Sequence, residues 1–203
     1  MSGTATTGLP SSIVHLKNLK VLSLSGCVGP SSKSFNKLTW FPLTQPRRSP
    51  DPMGMLERSL IGLCSLTTLD LSYCNVRTIP NVLGCLSSLE FLNLRGNNFV
   101  CLPESIVQLS NLRALNMGGC THLRMLPKLP LNIKCIDATK CTSLETLSLR
   151  PEYDFQPKFC FLNCNKLIKN QDYNDLFSTM LRRYIINTQV SLSLSPSLPF
   201  SHM

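Results

Sequence analysis

Hydrophobic residues return along this chain with a fixed step. Leu66-x-x-Leu69-x-Leu71-x-x-Cys74, Leu89-x-x-Leu92-x-Leu94-x-x-Asn97 and Leu112-x-x-Leu115-x-Met117-x-x-Cys120 follow one another every 23 residues. Within each unit the apolar residues stand at positions one, four and six, and position nine holds Asn or Cys. Positions four and six alternate with polar neighbours, which is the period of a strand with one buried face. The pattern predicts one short strand per repeat, stacked side by side in the same direction. Leu92 and Leu94 point into the stack, while Phe91, Asn93 and Arg95 point out of it.

Further copies flank these three. Leu19-x-x-Leu22-x-Leu24-x-x-Cys27 lies upstream, Ile133-x-x-Ile136-x-Ala138-x-x-Cys141 downstream, and Leu144-x-x-Leu147-x-Leu149 reads as a terminal half-copy. The linkers recur too, as Leu9-Pro10, Ile79-Pro80, Leu102-Pro103 and, in a shorter version, Leu126-Pro127. Proline fixes φ and starts a short helical or irregular return segment. A period of 20–29 residues with this spacing is the signature of leucine-rich repeats. The expected fold is therefore an α/β solenoid: a ladder of six short parallel strands with a helical or irregular convex side. At position nine, Cys27, Cys74, Asn97, Cys120 and Cys141 take a structural role. A buried Asn there can satisfy turn backbone groups, and Cys is a small apolar substitute with a weak donor.

The rhythm sets the domain boundaries. Residues 1–8 are small and polar and read as a disordered start. The repeats span 9–150 and are interrupted at 28–59 by a Pro-rich insertion that holds the sole tryptophan, Trp40. Residues 151–203 form a different segment. In it Phe159-x-Phe161 is a short strand, and Leu176, Phe177, Met180, Leu181, Tyr184 and Ile185 define one face of a helix over about 173–187. The tail beyond residue 188 has no assigned fold.

Composition narrows the chemistry. The chain carries a net charge of +9. Residues 1–150 hold 15 Lys/Arg against 7 Asp/Glu, or +8, and residues 151–203 hold 5 against 4, or +1. No basic cluster interleaves with aromatics, so a nucleic-acid surface is not indicated. There are ten cysteines. Four of them share position nine, no Asn lies in a glycosylation sequon, and the first residues lack the apolar core of a signal peptide. The thiols therefore read as reduced and the compartment as cytoplasmic or nucleo-cytoplasmic. No run of about 18 apolar residues predicts a membrane span.

The repeats, with their Leu-Pro-x-x-Ile returns, resemble those of plant intracellular immune receptors. The stretch from Leu126-Pro127-x-Leu129-Pro130 through Ile133, Ile136 and Ala138 to Cys141-Thr142-Ser143-Leu144-Glu145 is similar to the last repeats of receptors that carry a TIR domain. Phe159-x-Phe161-x-Asn163-Cys164-x-Lys166-Leu167 resembles the entry into their post-repeat jelly-roll domain. The resemblance implies a non-catalytic protein-recognition module, which senses a pathogen effector or holds the receptor's own switch domain inactive. The family's TIR NAD hydrolase and nucleotide-binding domains find no counterpart here. The chain thus reads as a piece of a longer protein that begins inside a solenoid, with an exposed apolar edge at its first repeat.

The candidate contact surface is the strand-borne concave face: Thr68, Asp70, Ser72, Phe91, Asn93, Arg95, Asn116 and Asp137. Extended concave faces are what solenoids use to grip proteins, and aromatic residues and Arg most often anchor interfaces. No catalytic residue, cofactor, metal ligand set or small-molecule substrate is expected. Cys160-x-x-x-Cys164 lacks the second pair of a zinc site. Gly26 to Ser34 lacks the glycines of a phosphate loop, and no serine sits in a nucleophile elbow. Three other readings remain: a generic intracellular repeat adaptor, a chain with the family's NAD hydrolase activity, and a cell-surface receptor ectodomain.

Overall fold

A computed structural model describes residues 16–26, 57, 60–148 and 158–169. Six strands run parallel in one sheet, in the order β1 (Val21–Ser23), β2 (Thr68–Asp70), β3 (Phe91–Asn93), β4 (Ala114–Asn116), β6 (Cys135–Asp137) and β8 (Lys158–Cys160). Leu22, Leu69, Leu92, Leu115, Ile136 and Phe159 pair across successive strands in a single row. Two further strands, β5 (Met125–Leu126) and β7 (Thr146–Leu147), pair in a separate parallel sheet.

The stack holds together because no repeat can bury its apolar stripe alone. Positions one, four and six are inaccessible to solvent from Leu66 to Met117, and nearly so at Ile133, Ile136 and Ala138. Phe99 fills the interior behind the third strand. At the first described rung the burial weakens: Leu19 is half-buried and Leu16 is exposed, while Val21 at position three points outward.

The prolines act as expected. Pro80 and Pro103 sit in extended conformation, with φ of −75° and −69°, directly before 3-10 helices at Asn81–Cys85 and Glu104–Gln108. These helices pack on each other so closely that a Cβ on Gly84 would lie 2.6 Å from the Ser105 carbonyl oxygen. Only a 3-10 turn forms, because five residues bridge the gap.

The sixth rung differs from expectation. Leu144-x-x-Leu147 is not a strand of the main sheet. It is the outgoing segment of the fifth repeat, equivalent to Leu123-x-x-Leu126 in the fourth, and its Thr146–Leu147 pairs with Met125–Leu126. The sixth rung is Lys158–Cys160, so the stack runs past residue 150. Phe159, Phe161 and Cys164 occupy positions four, six and nine of that repeat, and the two rings stack with centroids 5.7 Å apart. A short α-helix, Asn165–Lys169, follows. Residues 1–8, nearly all of the insertion at 28–59, Cys27, the helix expected at 173–187 and the tail lie outside the described residues.

Candidate functional site: the strand face of the solenoid

Two backbone devices shape the face. At position eight the chain adopts the left-handed conformation in every described repeat: Gly26, Tyr73, Gly96, Gly119, Lys140 and Asn163 have φ between 56° and 76°. This bend ends each strand and turns the chain into the core. The amides of Gly26, Tyr73, Gly96, Gly119 and Lys140 still donate to the next repeat, as from Tyr73 to the Arg95 carbonyl and from Gly96 to the Gly118 carbonyl. The hydrogen-bond ladder thus continues around the bend.

Position nine locks the bend from beneath. Asn97 is fully buried. Its Oδ1 accepts from the amides of Cys74 and Val76, and its Nδ2 donates to the carbonyls of Leu71 and Leu94. The cysteines do a simpler version of the same thing. Cys74, Cys120, Cys141 and Cys164 each donate the thiol proton to the position-six carbonyl of the preceding repeat, namely Leu24, Leu94, Met117 and Ala138. Burial pushes the Cys120 thiol up to about 11 and the Cys164 thiol up to about 12. The same cause raises Cys141. Neutral thiols of this kind are poor nucleophiles and poor metal ligands. All nine cysteines among the described residues are free thiols.

Three columns of side chains project from the sheet. Position three carries Val21, Thr68, Phe91, Ala114, Cys135 and Lys158, in register. Position five carries Ser23, Asp70, Asn93, Asn116, Asp137 and Cys160. Position seven carries Ser25, Ser72, Arg95, Gly118, Thr139 and Leu162.

The candidate residues separate by burial. Thr68, Asp70, Phe91 and Asn93 are half-buried and Arg95 is exposed. Ser72 is 4% exposed, Asn116 1% and Asp137 4%, so these three present little surface. The position-five column also has an internal task. The Oδ1 atoms of Asp70, Asn93, Asn116 and Asp137 accept from the amides of Ser72, Arg95, Gly118 and Thr139, two residues ahead. Short polar side chains favour such turns. The column therefore caps strand ends as well as facing outward, which alternation alone does not reveal. Cys135, half-buried at position three, has its thiol pushed up by burial and by the neighbouring Asp137 carboxylate.

Sequence reasoning left Tyr73 unassigned. Its phenol oxygen accepts from Arg95 Nε at 2.8 Å. Its ring covers Gly96, where a Cβ would lie 2.4 Å from two ring carbons. Tyr73 is the position-eight residue of the second repeat, and the glycine one repeat later in the same column was the signal. No group of three or more His, Cys, Asp or Glu side chains among the described residues could hold a metal ion. No helix among them is long and apolar enough to cross a membrane.

The repeats have known counterparts. A family model described as Leucine Rich repeats (2 copies) matches residues 64–106. The chain is 37% identical over 177 residues to the Disease resistance-like protein DSC1 of Arabidopsis thaliana, an alignment that covers 85% of this chain and 13% of that protein. It is 36% identical over 165 residues to the TMV resistance protein N of Nicotiana glutinosa, covering 65% of this chain and 14% of the relative. Among solved structures, the plant peptide hormone receptor RGFR1 in complex with RGF2 overlaps 70% of this chain and 19% of its own, with 27% identity and a TM-score of 0.40. The chain thus spans about one-seventh of the length of the curated relatives it matches.

Proposed function

We propose, from the premise that this chain belongs to the plant TIR-type disease resistance proteins through their leucine-rich-repeat region, that it is a non-catalytic protein-recognition module of an intracellular immune receptor. Its partner is a pathogen effector or the receptor's own switch domain, and it works in the cytoplasm or between cytoplasm and nucleus. The observation that carries this reading is the in-register face of six parallel strands, with Thr68, Phe91, Asn93 and Arg95 on its surface.

The physical argument is short. The inner strands β2, β3, β4 and β6 are paired on both sides, so their face offers side chains to a partner. Phe91 supplies apolar area and Arg95 supplies a charge, the residue types that carry most binding energy at interfaces. The position-nine thiols Cys120 and Cys164 are neutral and buried, hence not activated nucleophiles. The segment 151–203 is proposed as a post-repeat segment whose described part begins with the sixth rung.

A two-hybrid screen against a panel of pathogen effectors and the receptor's nucleotide-binding domain tests this reading. Phe91→Asp with Arg95→Glu should abolish the interaction found with the natural chain. Asn81→Lys with Glu104→Lys, in the two 3-10 helices, should leave it intact. Interaction that survives the strand-face pair and fails with the helix pair would move the recognition surface to the opposite side.

A further inference from the structure

We infer that Tyr73 and Arg95 form a preset clamp for a carboxylate, and that the segment recognised by this chain places an Asp or Glu side chain there. The inference rests on the strand face being the recognition surface and adds the chemistry of its anchor.

The clamp is built before any partner arrives. A guanidinium offers five N–H donors. Arg95 uses Nε to donate to the Tyr73 phenol oxygen, which restrains the plane of the fork and leaves its terminal nitrogens available on an exposed side chain. The phenol accepts that bond and keeps its own proton to donate. The remaining guanidinium N–H groups and the neighbouring phenolic O–H are the donor set that a carboxylate accepts from.

The Tyr73 ring rests on Gly96 and its hydroxyl is tied to Arg95. Its backbone is left-handed, with φ of 56°. Glycine fills this position in three other repeats. A tyrosine here carries a steric cost that glycine would not. Lys140 and Asn163 share this left-handed conformation, so what sets Tyr73 apart is its bond to Arg95. Below the ring, Gly96 leaves the room that any other residue would fill. The ring is half-exposed at 51%, so the hydroxyl is reachable.

Nothing inside the described chain satisfies the charge. The ion pairs there join Arg113 to Glu90 and Lys166 to Glu145, and neither involves Arg95. Asp70 and Asp137, the acidic groups of the same face, are turned to the turn amides of Ser72 and Thr139. Position two adds exposed Lys20, Arg113 and Lys134 along one margin, with Lys158 beside them at position three. Arg113 is paired with Glu90, but Lys20, Lys134 and Lys158 at the strand starts keep the face positive, and that field together with the unpaired Arg95 favours an acidic segment. A phosphate dianion would call for a second cation in the clamp itself, and the clamp holds one.

The test uses the full chain and a displayed library of random dodecapeptides. Selection on the natural chain should fix an Asp or Glu at one position of the consensus. In the synthesised peptide, changing that acid to its amide should weaken binding about tenfold to the natural chain and less than twofold to Arg95→Gln. Tyr73→Phe should fall between, and Arg77→Gln, in the segment leaving the second strand, should match the natural chain. Circular dichroism on each variant confirms that it is folded. An acidic preference that persists in Arg95→Gln overturns the clamp. So does a phosphoserine peptide that binds ten times tighter than its glutamate counterpart. Peptides that Phe91→Asp abolishes but that show no acidic consensus overturn the clamp alone. Peptides indifferent to Phe91→Asp overturn the recognition face itself.

Discussion

Gly96 and Gly119 hold the same position in adjacent repeats and nearly the same φ, yet they face different neighbours. A Cβ on Gly119 would find its nearest atoms at 3.9 Å, whereas one on Gly96 would strike the Tyr73 ring at 2.4 Å. Gly119→Ala should therefore cost only the left-handed backbone term, about 1 kcal/mol. Gly96→Ala should cost roughly 3 kcal/mol once the overpacking is added. Urea denaturation measures both, and adding Tyr73→Ala to Gly96→Ala should return the difference; equal costs for the two glycines would refute the ring contact. The position-nine thiols make a second residue-scale prediction. Their folded values lie above the ordinary thiol value of ~8.5, so the unfolded chain loses these protons first as pH rises. The stabilisation is complete below about pH 8 and drains away between the ordinary value and about 11 to 12. The thermal midpoint should fall across that range, and Cys120→Ala with Cys164→Ala should flatten the fall relative to the natural chain. A slope unchanged by the double substitution would mean these thiols titrate normally.

At the scale of the element, the close crossing of the two 3-10 helices is the most sensitive contact. Gly84→Ala should push Asn81–Cys85 off Glu104–Gln108 and cost about 2 kcal/mol by overpacking, read as a lower urea midpoint; a neutral outcome would show that the return segments shift freely. The strands were legible because alternation and the 23-residue step report burial directly: Leu69, Leu92, Leu115 and Ile136 lie in one row as the spacing requires. Asn97 was legible for the same reason, since a polar residue among buried ones must find backbone partners. The last rung was not read correctly. Leu144 and Leu147 mimic positions one and four, but they follow Cys141 at the offsets by which Leu123 and Leu126 follow Cys120. The true sixth rung has Gln156 where a leucine belongs, which hid it, although Phe159 and Cys164 stand 23 residues after Ile136 and Cys141. The capping by Asp70, Asn93, Asn116 and Asp137 was hidden too, because an outward-pointing residue can fold its side chain back along the strand. Tyr73 escaped because no hydrophobic pattern encodes backbone handedness.

For the whole molecule, the stack is a one-dimensional object in which each rung covers the one before it. Removing everything after residue 150 would strip Phe161, Cys164 and Leu167 from the fifth repeat. The loss should reach roughly 4 kcal/mol at the usual yield for burying a Phe and a Leu, and calorimetry on the chain ending at 150 and on the full chain should show a clear drop for the shorter one. Equal midpoints would mean that the sixth rung is dispensable. Function is also a property of the whole stack, because a partner spanning several rungs reads their side chains only while the register holds. Hydroxyl-radical footprinting with and without a selected binding partner tests this most directly. The account requires Phe91 and Tyr73 to become protected together while Val82 and Leu131, away from the strand face, keep their reactivity. Protection of Val82 or Leu131 with Phe91 and Tyr73 unchanged would contradict it.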